Sequence, residues 1–305
     1  MLKSRSLGFA LTRRRLLSAL AGCGVLPVLG GGPAAAAPDP KRVATKPWLT
    51  LPATPGLPKP SKQGLAKLGD VEIYFAQFGA GPHVLMLHGG SASSNYWGHQ
   101  VSALAGDFQV TVMDTRGHGR SPVSSPVFGY AQFAQDVIAL LKYLGIPRTA
   151  VVGWSDGAIT GIQLAMVEPG LLTGVFAFGA NTDLHGLKPG GAKSPVFQQF
   201  SARCQKEYAA LSPHPERWST LQAGLVKMWR SEPSYSRQQL SGIGISVAVA
   251  DGEYDEIIKT EHTKEIARSI PHDELVLMSD VSHFAMLQDP TQFNAYLTDF
   301  LFGVV

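Results

Sequence analysis

The stretch Thr149-Ala-Val-Val-Gly-Trp-Ser-Asp-Gly-Ala-Ile-Thr160 constrains the fold more than any other part of the chain. Its first half is apolar and rich in β-branched residues, the composition of a parallel-sheet strand buried on both faces. Residues 158–167 continue with apolar positions at helical spacing. Strand and helix meet in Gly153-Trp-Ser-Asp-Gly157, a G-x-S-x-G pattern, which predicts a sharp, strained corner that lifts the Ser155 hydroxyl above the sheet. A Cβ at position 153 or 157 would crowd the strand and helix where the chain reverses, so both glycines have a steric reason. The five-residue pattern is common by itself; its flanking strand and helix make Ser155 a candidate nucleophile.

Strands and helices alternate on both sides of this unit. Residues 71–78 have the period of a half-buried antiparallel strand, 84–88 and 109–114 read as buried strands, and 96–104 and 130–144 as helices. After Ser155 come strands at 172–178, 244–250 and 274–278 and helices at 260–269 and 292–301. Such alternation with short connections predicts an α/β protein with a mostly parallel, doubly wound sheet over residues 63–303. The alternation stops at about 183–241, where amphipathic stretches at 196–211 and 218–229 take over. An insertion beyond the carboxyl end of a strand predicts a helical cap over a ligand site. Its expected apolar roof is Phe197, Phe200, Tyr208, Trp218, Met228 and Trp229.

The N-terminal part reads as a targeting segment. Thr12-Arg-Arg-Arg-Leu-Leu-Ser18 matches a bacterial twin-arginine export pattern and precedes an apolar run at 16–29, too short to cross a bilayer as a helix. Small residues at 34–37 offer a signal-peptidase cut after Ala36, which predicts an exported, periplasmic or secreted protein. Leu20-Ala-Gly-Cys23 also matches a lipobox, so a lipid anchor at Cys23 is the alternative. Residues 1–36 hold Lys3, Arg5, Arg13, Arg14 and Arg15 and no acidic residue, so their loss moves the formal charge from +3 to −2. The basic balance therefore belongs to the leader and gives no reason to expect nucleic acid. Residues 37–62 are rich in proline and read as an extended spacer. Cys204 reads as a free, buried thiol.

A serine hydroxyl is too weak an acid to attack unaided, so Ser155 needs a base and the base needs an orienting carboxylate. Beyond the strand at 244–250 stand Asp251, Glu253 and Asp255, and beyond the last strand stands His283. Asp255 is the preferred acid, with Asp251, Glu253 and Asp183 as alternatives; His283 is preferred over His272, which precedes a strand and so lies at the wrong end of the sheet. Oxyanion donors are expected at the N–H of Asp156, after the nucleophile, and of Gly90, in the loop Leu87-His-Gly-Gly-Ser91 after an early strand. His88, at that strand end, suits a structural role. The Asp156 carboxylate, at a helix N-terminus, is stabilised there by the helix dipole, or it faces the pocket and holds a substrate ammonium.

Together, Leu87-His-Gly-Gly90, Asp114-Thr-Arg-Gly-His-Gly-Arg-Ser121, Gly153-Trp-Ser-Asp-Gly157, Asp255 and Ser282-His-Phe284 resemble the α/β-hydrolase superfamily of serine esterases and lipases. The Gly-Trp-Ser-Asp-Gly segment is similar to that of small carboxylesterases of the valacyclovir hydrolase kind. The resemblance implies an α/β-hydrolase fold with a cap, and a structural turn at 114–121 that leaves His118 outside the chemistry. It implies hydrolysis of a small ester or lactone through an acyl-serine, without cofactor or metal. Related dehalogenases and epoxide hydrolases use an aspartate where this chain has Ser155. Two alternatives share the frame: cofactor-free perhydrolase or haloperoxidase chemistry on the same triad, and a ligand-binding protein without turnover.

Overall fold

In a computed structural model, which describes residues 46–122 and 128–305, eight strands form one sheet. The strands are β1 (Lys62–Leu68), β2 (Val71–Phe78), β3 (His83–Leu87), β4 (Gln109–Met113), β5 (Thr149–Trp154), β6 (Leu172–Phe178), β7 (Ser246–Gly252) and β8 (Asp273–Met278). Their spatial order is β1-β2-β4-β3-β5-β6-β7-β8. β1 pairs antiparallel with β2 and β2 with β4, and all other neighbours are parallel. This is the mostly parallel sheet expected from the alternation, in the α/β-hydrolase arrangement that the resemblance implies. The chain leaves β3 for β4 on one side and returns to β5 on the other, creating the crevice at which open α/β sheets bind ligands.

Side chains of the central strands divide between two apolar cores, one on each face. Leu85, Leu87 and Val151 enter one; Val84, Met86, Ala150, Val152 and Trp154 enter the other. That two-sided burial is why these strands read as unbroken apolar runs. Helices α1 (Gly98–Leu104), α2 (Tyr130–Leu144) and α3 (Asp156–Val167) follow β3, β4 and β5. α2 stops at Gly145, which adopts φ 69° and leaves the helix axis as a left-handed cap.

Between β6 and β7 lie α4 (Pro195–Leu211), α5 (Trp218–Trp229) and the short α6 (Arg237–Ser241), the expected cap. Proline at the first turn and a Ser194 side chain accepting from Phe197 N start α4. Then come α7 (Thr260–Ser269), α8 (Ala285–Gln288) and α9 (Pro290–Val304). The stretch read as one helix at 96–104 is split: 94–97 is a tighter 3₁₀ turn and α1 starts at Gly98. The glycine is required there because Gly56 O lies 2.6 Å from where a Cβ would stand.

That contact belongs to a feature the sequence does not announce. Of the proline-rich spacer, residues 46–61 lack regular structure apart from a 3₁₀ turn at Pro47–Leu49, yet they are anchored to the domain. Arg203 of α4 donates to the carbonyls of Leu51 (2.8 Å) and Pro52 (2.5 Å), and Thr54 donates to Glu207. Gln288 donates to Thr50 O, and Trp48 stacks on Tyr254 with ring centroids 4.1 Å apart. Leu51 and Leu57 pack against the adjoining core. Proline keeps the segment from building its own core, and side chains of the domain supply the fixation instead. Residues 1–36, read above as an export signal, lie outside the described residues, as does Cys23.

Candidate active site

Ser155 stands between β5 and α3 at φ 53° and ψ −118°. Such a backbone costs about 1–3 kcal/mol for a residue with a Cβ and persists only where the surroundings impose it. Here Ser155 N donates to Phe178 O at 2.9 Å. A Cβ on Gly153 would lie 2.4 Å from Gly157 O, and one on Gly157 only 2.1 Å from Leu87 O. Both glycines are therefore demanded by close packing of β3, β5 and α3, as the sequence reading anticipates.

His283 follows β8, and its Nδ1 lies 2.6 Å from Asp255 Oδ2. The other Asp255 oxygen accepts from the N–H groups of Ile257 (2.6 Å) and Ile258 (2.7 Å). With both oxygens engaged, the carboxylate fixes the ring and leaves Nε2 as the nitrogen available to a reacting group. The alternative acids go elsewhere. Asp251 accepts from Thr263 Oγ1 and Gly252 N, Glu253 from Asp280 N, and Asp183 from His185 N. Burial, then the neighbouring Asp255 charge, drive the Asp251 carboxyl well above the ordinary range. Burial would also raise Asp255, but the His283 contact outweighs it and holds Asp255 low. For His283, burial opposes the charged form, while the Asp255 charge and hydrogen bond win and raise its pKa above the usual histidine value.

The loop after β3 is fixed by the 114–121 turn. Asp114 Oδ1 accepts from Ser94 N at 2.7 Å, and Oδ2 from Arg120 N at 2.8 Å. His88 bonds across the same loop, Nδ1 to Gly89 O at 2.8 Å, with Thr115 N donating to Nε2 at 3.0 Å. Burial keeps His88 neutral, and His118 is pushed down to about 3 by burial and then by His88. Both imidazoles serve the turn. Gly90 must lack a side chain because Trp229 Cζ2 and Asp156 Oδ2 would stand 2.4 and 2.5 Å from its Cβ. Its backbone thus lies against the helix start that carries the Asp156 N–H, one of the amides at a helix N-terminus without an intrahelical acceptor.

Ser155, His283, Gly90 and Asp156 line one cavity of about 450 Å³. Its walls are largely apolar, with Trp154, Phe197, Phe200, Ile257 and Ile258 prominent. Of the expected roof residues, Phe197, Phe200 and Trp229 line it. Tyr208, Trp218 and Met228 instead pack between the cap helices and the core.

Asp156 is turned toward the cavity, and its oxygens already accept from Tyr130 OH (2.9 Å) and Trp229 Nε1 (3.0 and 2.9 Å). Burial raises its pKa to about 6 against the lowering effect of those two donors. A substrate ammonium would have to share a carboxylate that links α2, the serine corner and the cap helix α5.

Several participants escape sequence reasoning. Gly179, at φ +66°, brings the end of β6 so near His283 that a Cβ would stand 2.8 Å from Cε1. Glu256 accepts from His283 N, and Gln288 steadies the preceding residue by bonding Ser282. Only the unusual placement of a glycine directly after β6 could have hinted at the first.

A family model described as "Alpha/beta hydrolase family" matches residues 84–296. Among curated relatives, "Putative carbamate hydrolase RutD" of Pseudomonas savastanoi pv. phaseolicola is 23 % identical over 252 residues, covering 75 % of this chain and 97 % of that protein. "Serine hydrolase BPHL" of Homo sapiens is 27 % identical over 245 residues, covering 76 % and 83 %. Among solved structures, Est816, described as an N-acyl homoserine lactone degrading enzyme, superposes with a TM-score of 0.63 at 26 % identity, covering 78 % of this chain and all of that one. The family match includes the corner at Ser155, the turn at 114–121, Asp255 and His283, so the chain belongs to the alpha/beta hydrolase family.

Proposed function

We propose that this hydrolase cleaves a small carboxylic ester or lactone through an acyl-serine intermediate. The observation that carries the reading is the buried Asp255–His283 pair, 2.6 Å apart, whose histidine lines the same cavity as a serine held at a strained strand-to-helix corner. Ser155 Oγ attacks the carbonyl as His283 Nε2 takes its proton, and the oxyanion that forms is met by the N–H groups of Gly90 and Asp156. His283 returns the proton to the leaving oxygen; water then enters, is deprotonated by the same nitrogen, and releases the acid. Asp255 orients the ring and offsets the charge it gains. The similarity to a lactone-degrading enzyme and to a serine hydrolase supports this class, and the carbamate hydrolase among the relatives makes carbamates a third scissile group to try.

A panel of p-nitrophenyl esters, lactones and carbamates tests the reading. An initial burst of nitrophenol equal to the enzyme concentration, absent in Ser155→Ala, is expected. Turnover that survives Ser155→Ala would refute it. We also propose export, on the twin-arginine pattern and the alanines before the cut at Ala36. N-terminal sequencing of the exported protein should then begin at Ala37, and a lipidated Cys23 at that end would replace this reading.

A further inference from the structure

Lys188 has no part in the mechanism above, yet it lines the cavity. It sits on the stretch 187–193 between β6 and α4, which is held firmly against the Asp255 loop. Leu187 pairs with Ile258 in an isolated antiparallel bridge, and Lys188 N donates to Ile257 O at 2.7 Å. Gly191 packs so tightly that a Cβ would approach Glu256 O to 2.1 Å. The position of Lys188 is thus built rather than left to a free loop.

Its side chain is half-buried, and Nζ donates to the main-chain oxygen of Asp255 at 2.5 Å. Among the described residues no carboxylate stands within ion-pair distance of it. One carbonyl uses one of three ammonium protons, and a partly buried cation without a counter-ion is costly. The cavity's own carboxylates, Asp156 and Glu232, are tied to Tyr130 and Trp229, from α2 and α5. The cavity-lining residues bound to this stretch are Leu187, Ile257 and Ile258, with Lys193 exposed farther along it. An apolar wall carrying a fixed, uncompensated cation suits a ligand with an aliphatic or aromatic body and a terminal anion.

We propose that Lys188 is an anion subsite and that the substrate is an ester or lactone bearing a carboxylate away from the scissile carbonyl. This rests on the acyl-serine reading of Ser155. In such a ligand the carboxylate meets Lys188 Nζ, and the rest of the molecule covers the apolar wall.

The test compares kcat/KM within two pairs of esters that differ in one charge. p-Nitrophenyl hydrogen adipate against p-nitrophenyl hexanoate places the carboxylate on the acyl side. 4-(Hexanoyloxy)benzoate against its methyl ester places it on the alcohol side. In at least one pair the anionic ester should be preferred by about 10- to 100-fold, the range of a charge-assisted hydrogen bond. Lys188→Gln should bring that ratio close to one, and Lys188→Arg should keep most of it. A purely structural role through Asp255 O would lower both members of a pair alike and leave the ratio unchanged, which would overturn the proposal. So would a wild-type ratio near one in both pairs. The rate of fluorophosphonate labelling at Ser155 shows whether each variant still assembles its site. Failure of wild type to hydrolyse any ester or take the label removes the underlying reading as well; hydrolysis without charge preference removes the subsite alone.

Discussion

At the scale of the residue, the strained serine and its neighbours set sharp limits on substitution. Gly157→Ala would drive a Cβ into Leu87 O, a backbone atom that cannot swing aside, so it should destabilise by more than about 2 kcal/mol, seen as a lower urea midpoint at unchanged slope. Asp255→Asn removes the charge that holds the His283 ring. It should cut kcat by about 10⁴-fold, the scale found when a triad carboxylate becomes an amide. The pH profile gives a second, independent readout. In the proposed mechanism His283 must be neutral to act as base, so kcat/KM should rise with pH through the imidazole pKa, with a midpoint above the ordinary 6.5 because Asp255 raises it. In Asp255→Asn the residual activity should have its acid midpoint displaced to lower pH. A wild-type midpoint at or below 6.5 would contradict the assignment.

At the scale of the element, the anchored segment at 46–61 joins parts that are distant in the chain. It touches α4 of the cap through Arg203 and Glu207, α8 through Gln288, and the turn after β7 through Tyr254. Arg203→Ala should free it, making residues 46–61 a preferred cleavage site in limited proteolysis and lowering stability by about 1–3 kcal/mol. Unchanged protection would show that Leu51, Leu57 and the Trp48 stack suffice. This segment also shows where sequence reading stops. Parallel strands buried on both faces announce themselves as apolar runs, so the sheet, α2 and the cap helices are legible along the chain. Anchoring of a proline-rich stretch depends on its carbonyls meeting an arginine 151 residues away, and composition carries no trace of that. Likewise Ser155 and His283 are legible from local pattern and sheet-edge position. The choice of Asp255 over Asp251 turns on which carboxylate faces the ring, and the closeness of Gly179 to His283 exists only once β6 and the loop after β8 are side by side.

At the scale of the whole molecule, the sheet brings the ends of β3, β5, β7 and β8 to one edge, and the insertion between β6 and β7 covers that edge with aromatic side chains. Segments far apart in sequence thereby meet at one largely apolar cavity, where the buried Asp255–His283 pair stands beside the serine corner. Central to this account is the activation of Ser155 by His283. Its most direct test is covalent labelling by a fluorophosphonate, followed by intact mass and peptide mapping, on wild type, Ser155→Ala and His283→Ala. One label per chain at Ser155 is expected, absent in the serine variant and nearly absent in the histidine variant. Folded wild-type protein that takes no label, or a His283→Ala variant that labels as fast as wild type, would contradict it.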